Sequence, residues 1–199
     1  MARTRSAKAH KKVIDATIEL FVESGINATS MDGIAGRSGV SKATIYKHWP
    51  DKDALALESL SHLFGFYEKP PKFDSGDLRR DFVDVLTYQP NEANQDLKMK
   101  MMPHVMSYAE RNKKFGDQWR ERVIEQPQIR LKNLMRRGIA QHQLEKKLNF
   151  TAGLALLLGP AFYWYIVVGK KRSPAAMPRQ LAAEVVNAFF KAFGRGSHT

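Results

Sequence analysis

The sequence contains no cysteine, which excludes disulfide scaffolds, cysteine nucleophiles, thiol redox chemistry and zinc fingers together. Its six histidines (His10, His48, His62, His104, His142 and His198) never fall at metal-ligand spacing, so no metal site and no cofactor are expected. There is no Gly-x-Ser-x-Gly elbow, phosphate loop, dinucleotide fingerprint or paired-histidine motif, which argues against an enzyme. Asp81 and Asp84 read as i,i+3 surface positions of a helix. No alternating run bounded by hairpin turns and no internal repeat is present. Acids are the scarcer charge: 20 Asp and Glu against 32 Lys and Arg give a formal charge of +12, which invites a polyanionic surface or an anionic small molecule as partner. The basic N-terminus is not followed by a secretory core, because Asp15 and Glu19 interrupt Val13–Val22 on a helical period; the expected address is the cytoplasm.

What is present reads as all-α, with about nine or ten helices. At 199 residues and 43% hydrophobic content, the chain is long enough for one large domain or two small ones, each with a real core. Apolar periodicity predicts helices over Ala7–Ser24, Met31–Ser38, Ser41–Trp49 and Asp51–Tyr67. Lys69-Pro70-Pro71-Lys72 makes a stiff break after them. Beyond it follow Gly76–Gln89, Glu92–Asn112, a basic stretch from Lys113 to Lys147 interrupted at Pro127, an uncharged helix, and Pro178–Phe193; the residues from Gly194 read as a frayed tail. Leu148 to Gly169 carries no charge and is long enough to span a bilayer. Lys146-Lys147 and Lys170-Lys171-Arg172 flank both ends, so the run has no orientation signal, and a helix buried on all sides is the competing reading.

The informative stretch is Ser30 to Trp49, two short helices joined by a tight glycine turn, as a helix-turn-helix requires. Ser30 suits the N-cap of the first helix and Ser41 that of the second. Met31, Ile34, Val40 and Ile45 face a core, Ala35 keeps the helix crossing close, and Gly39 suits a turn at positive φ. The opposite face of the second helix then shows Lys42, Ala43, Thr44, Lys47 and His48, groups able to meet phosphates and base edges in a major groove. Tyr46 and His48 can reach the backbone at the groove edge. Asp51 is a good N-cap, yet Lys52 follows at the first helical position against the helix dipole, which points to a ligand there; a DNA phosphate would fit. Gly33 and Gly36 lower the propensity of the first short helix and predict one that is loose without DNA.

These residues carry a resemblance. With Leu20-Phe21-Val22-Glu23-Ser24-Gly25, Thr29-Ser30, Ile34-Ala35, Gly39-Val40-Ser41 and the run Tyr46 to Leu55, residues from about Ala7 to Tyr67 resemble the DNA-binding domain of the TetR family of transcriptional regulators. The resemblance covers about a third of the chain. It implies a homodimer that reads a palindromic operator on double-stranded DNA, usually as a repressor released by a small-molecule effector. Domains at 7–67, with the helix-turn-helix at 30–49, and at 68–196 follow, the second for ligand binding and dimerisation. Thr29, Lys42, Thr44, Tyr46, His48 and Lys52 fall on family DNA-contact positions; with Ser30, Ser41, Ala43 and Lys47 they form the candidate interface. Trp49 stands where phenylalanine is common. More weakly, Leu156-Leu157-Leu158-Gly159-Pro160 and the last helix are similar to the two helices that pair family dimers, which accounts for an uncharged helix without a membrane.

Charge does not locate the DNA site. Residues 1–69 hold ten Lys and Arg against eight Asp and Glu, whereas residues 70–199 hold 22 against 12. The arm before Val13 could reach a minor groove or be simply disordered. Eleven basic residues lie between Arg111 and Lys147 against four acids; they line a pocket for an anionic or acyl-thioester-like effector, or they are the solvated face of amphipathic helices. The effector candidates that the resemblance implies are Phe64, Tyr67, Met99, Met102, Met106, Trp119, Tyr163 and Trp164, with Phe162 beside them and with Pro103 expected to kink the methionine-bearing helix. His104 could bind a polar group. A non-specific architectural or membrane-tethered DNA protein is the rival reading.

Overall fold

The structure is a computed structural model and describes residues 2–90, 94–164 and 177–195. The end of the uncharged run after Trp164, Lys170–Arg172, the expected helix start at Glu92, the tail from residue 196 and the Arg3 and Arg5 side chains lie outside the described residues. The order of elements is α1 (Ala2–Ala28), α2 (Met31–Ser38), α3 (Lys42–His48), α4 (Lys52–Phe64), α5 (Leu78–Thr87), α6 (Gln95–Arg111), α7 (Lys113–Arg120), a π-helical turn (Glu121–Glu125), α8 (Gln126–Ala140), α9 (Phe150–Tyr163) and α10 (Arg179–Phe193). There is no β-strand among the described residues.

Local chemistry explains most boundaries. α1 begins earlier than Ala7 and breaks at Gly25 (φ 82°, ψ 163°) before resuming to Ala28. Only glycine adopts that backbone freely, and a Cβ there would stand 2.9 Å from His104 Nδ1. His104 therefore packs against the break. Pro127 sits in the first turn of α8, where its missing N–H costs nothing. α6 continues as helix through Pro103.

The chain forms two compact units, Met1–Lys69 with Pro90–Arg120 and Pro70–Gln89 with Glu121–Thr199. The proline break at residues 69–72 does separate them, but the chain returns to the first unit with α6 and α7. The cause is an apolar stripe, Met101, Val105 and Tyr108 with Phe115 and Trp119, all buried. α1 and α4 receive it. Packing and chain order thus divide the molecule differently. Beneath α2 and α3, the first unit buries Val13, Ile14, Ile34, Val40, Ile45, Trp49 and Leu55 together.

In the second unit, α5, α8, α9 and α10 enclose Phe82, Leu131, Met135, Leu157, Val186 and Phe189. Asp81 corrects a surface assignment, since it is only 1% exposed. It accepts from the Ser75 amide at 2.9 Å and pairs with Arg137, which also reaches Asp74 at 2.8 Å. Burial works against its charge, but the Ser75 and Arg137 contacts win and hold the carboxyl below its usual range.

The uncharged helix is not buried on all sides of its own chain. α9 buries Gly153 and Leu157 and leaves Leu156 45%, Phe162 51% and Tyr163 62% exposed; among the described residues it packs on α5, α8 and α10. No helix among the described residues is long and apolar enough to cross a membrane.

Candidate nucleic-acid interface

Three short-range devices set the turn between α2 and α3. Ser30 caps α2 by accepting from Gly33 N at 3.1 Å. Gly39 ends that helix at φ 66°, its N–H bonded to Ala35 O. Ser41 then caps α3 by accepting from Thr44 N at 3.3 Å, and the Ser41 and Thr44 hydroxyls lie 2.9 Å apart. α2 is continuous despite Gly33 and Gly36 and is braced on α1, where Arg37 meets Glu23 at 2.8 and 2.9 Å and Glu19 at 3.3 Å.

α3 exposes every residue except Ile45. Lys42, Ala43, Thr44, Tyr46, Lys47 and His48 all stand in solvent beside the caps Ser30 and Ser41. The helix bears no acid. Lys42 is paired with Asp32 of α2, so one of its two lysines is already answered within the motif. Trp49 closes the helix and is buried; its indole donates to Glu58 Oε2 at 2.7 Å, and His10 Nε2 lies 2.9 Å from the other oxygen of that carboxylate.

Two candidates are placed otherwise. Thr29 is buried and donates its hydroxyl to Gly25 O at 2.9 Å, so its side chain seals the end of α1. Lys52 turns inward: Nζ donates to the carbonyls of Ile26 at 2.8 Å, Thr29 at 3.1 Å and Asn27 at 3.4 Å. The cation set against the dipole of α4 does have a ligand, but it is the carbonyl-rich end of α1. Burial pulls its pKa down, and it lies 5.5 Å from the centroid of the Tyr108 ring.

Tyr108 is the residue that sequence reasoning missed. It donates to Asp53 Oδ1 at 2.6 Å, fastening α6 to the first turn of α4. Burial and then that carboxylate push its phenol pKa up, so it remains a donor. A partner 55 positions away leaves no local signal; only its place on the apolar stripe of α6 marked it.

The effector candidates fall in both units. Phe64, Tyr67, Met99, Met102, Met106 and Trp119 belong to the first unit, Tyr163 and Trp164 to the second. Phe64 and Trp119 are buried against each other at 5.3 Å. Tyr67 and Met106 are exposed, and the buried face of α6 runs through Met101 rather than through Met99, Met102 and Met106. Tyr163 is exposed, while Trp164 packs on the second core. An open groove of about 360 Å³ in the first unit, between His10, Ile14, Ile18, His62 and Leu63, includes none of the eight. Of the eleven basic residues from Arg111 to Lys147, eight are exposed; Arg130, Lys132 and Arg137 are not.

The profile described as "Bacterial regulatory proteins, tetR family" matches residues 13–58, and that described as "Tetracyclin repressor-like, C-terminal domain" matches residues 73–186. The HTH-type transcriptional regulator YdeS of Bacillus subtilis (strain 168) is 29% identical over 169 residues, 84% of this chain and 83% of its own. The DNA-binding transcriptional repressor TetR of Mycobacteroides abscessus is 27% identical over 123 residues, 61% of either chain. Among solved structures, the flavonoid-responsive regulator FrrA superposes with a TM-score of 0.69 at 25% identity, over 96% of this chain and 99% of its own. NalD, the secondary repressor of the MexAB-OprM multidrug efflux pump in Pseudomonas aeruginosa, shares the fold with a TM-score of 0.62 at 22% identity, over 97% and 99%.

Proposed function

The chain belongs to the TetR family of bacterial transcriptional regulators, which bind operator DNA, and on that premise we propose that it represses from a palindromic operator and lets go when a small molecule binds. The observation that carries this reading is α3, a capped, acid-free helix with one buried residue. A helix so uncovered adds little to a core, whereas its width suits a major groove. In this reading residues 7–67 are the DNA-reading domain. Thr44 and Ala43 meet base edges, Lys42, Lys47, Tyr46 and His48 meet phosphates, and Ser30 and Ser41 present the amide ends of their helices. Thr29 and Lys52 serve by holding the end of α1 in place beneath them.

Residues 68–196 then supply dimerisation and effector binding. The bare apolar face of α9, with α10 beside it, supports a homodimer through these two helices, since a two-fold axis covers such a patch with its own copy. Release follows if effector shifts α4 or α6. The Tyr108–Asp53 bond and the packing of His104 on Gly25 tie α6 to both ends that position α2 and α3. A small tilt takes paired α3 helices off the roughly 34–36 Å repeat of duplex DNA, and a coupling of about 1–3 kcal/mol is enough.

The test is a footprint on the DNA flanking the gene, followed by anisotropy titrations. Thr44→Ala is expected to relax base preference. Lys47→Ala weakens all sequences alike and flattens the salt slope by about one unit. Equal affinity of the unaltered chain for random and footprinted duplexes would refute operator reading.

A further inference from the structure

α8 carries three arginines with different neighbours. Arg137 is answered by Asp81 and Asp74 and donates to Phe73 O at 3.1 Å. Arg136 is exposed and donates to Asn133 Oδ1 at 2.8 Å. Arg130 is half-buried, and its guanidinium carbon lies 5.6 Å from the centroid of the Tyr88 ring. Tyr88 in turn meets Phe73 edge-on at 5.7 Å. Among the described residues, no carboxylate and no hydrogen-bond acceptor reaches Arg130. Partial burial draws its pKa down, as expected of a cation partly withdrawn from water without an anion beside it. A ring face compensates such a charge only in part.

We infer that Arg130, set against the ring of Tyr88, is the anchor for the carboxylate of an aromatic organic acid. The inference rests on the proposed effector role of residues 68–196 and gives that effector a chemical class. One uncompensated guanidinium matches one negative charge, and its planar fork matches a carboxylate in two parallel hydrogen bonds. The Tyr88 ring favours a flat apolar body over inorganic phosphate. Of the other basic residues of the 111–147 stretch, eight are exposed and Arg137 is internally paired.

Calorimetry and thermal shifts on the full chain with naphthoate, its neutral amide and inorganic phosphate test the site. Naphthoate is expected to bind at least about tenfold more tightly than naphthamide, and phosphate to bind more weakly than naphthoate. Arg130→Gln removes that preference while leaving naphthamide unchanged, and Arg130→Lys restores it partly because the fork is lost. The ligand-free Arg130→Met chain melts no lower than the unaltered one, which a purely structural arginine would not allow. Equal binding of acid and amide, or an Arg130→Met chain that melts lower and binds naphthoate unchanged, overturns the inference. Operator titrations separate this site from the regulatory reading. Naphthoate held through Arg130 with operator affinity unchanged leaves the site standing and removes its effector role. A neutral compound that releases operator while naphthoate fails to bind does the reverse.

Discussion

α3 buries one residue of seven, Ile45, and α9 buries two of fourteen, Gly153 and Leu157. Both leave much of their surface bare, yet only α3 bares charge and only α9 bares leucine and phenylalanine. α3 shows two lysines, an imidazole, Thr44 and Tyr46 beside Ala43; α9 shows Thr151, Ala152, Ala155, Leu156, Gly159, Phe162 and Tyr163, with no charge. Water solvates the first cheaply, so it can wait for a polyanion that brings its own counterions to release. The second loses free energy in water at roughly 25 cal/mol per Å² until something apolar covers it. Exposure alone therefore marks an unfinished surface, and composition names what finishes it.

The sharpest way to break this contrast is to spoil α9 and leave α3 intact. Leu156→Glu is expected to give a monomer in sedimentation with helicity retained, and operator affinity lower by at least about 100-fold as two-site binding is lost. A dimer of unchanged affinity would detach α9 from assembly.

Next come the supports under each helix. In the second unit Asp81→Asn leaves Arg137 partly unanswered, and urea unfolding should show a loss of about 3 kcal/mol at neutral pH. Because the Asp81 carboxyl is held low in the folded chain, its contribution is present above its unfolded pKa. It fades as pH falls through the folded value, below about pH 4. The variant should lose that acid-dependent limb; an identical pH profile would count against the pair. In the first unit Lys52→Met keeps the methylenes and removes the amine from three carbonyls. Stability is expected to fall by about 1–2 kcal/mol with the salt slope of DNA binding unchanged, whereas a slope shallower by about one unit would place that ammonium on a phosphate instead. Smallest is Gly36→Ala, whose Cβ meets nothing within 4 Å; thermal melts should show a gain of up to about 1 kcal/mol.

Much of this was legible from residue order wherever the physics is local. The caps Ser30, Ser41 and Asp51, the turn at Gly39 and the buried partners Ile34, Val40 and Ile45 each follow from neighbours within four positions. The break at Gly25 was legible, but not the packing of His104 against it. Long-range partners were illegible: Lys52 reads as a cation awaiting a DNA phosphate because its carbonyls lie 23 to 26 positions back. Asp81 looked like a surface acid because Arg137 is 56 positions on. The methionine stripe misled for another reason, since Lys98, Met101, Val105 and Tyr108 form an alternative face of the same helix, and tertiary packing chose that one.

The pairing of Lys42 with Asp32 bears on how the protein searches a genome. Both side chains are exposed, so water screens the pair to less than about 1 kcal/mol. In the proposed complex Asp32 therefore offsets part of the Lys42 charge along random duplex, and a phosphate within bonding range of α3 displaces it.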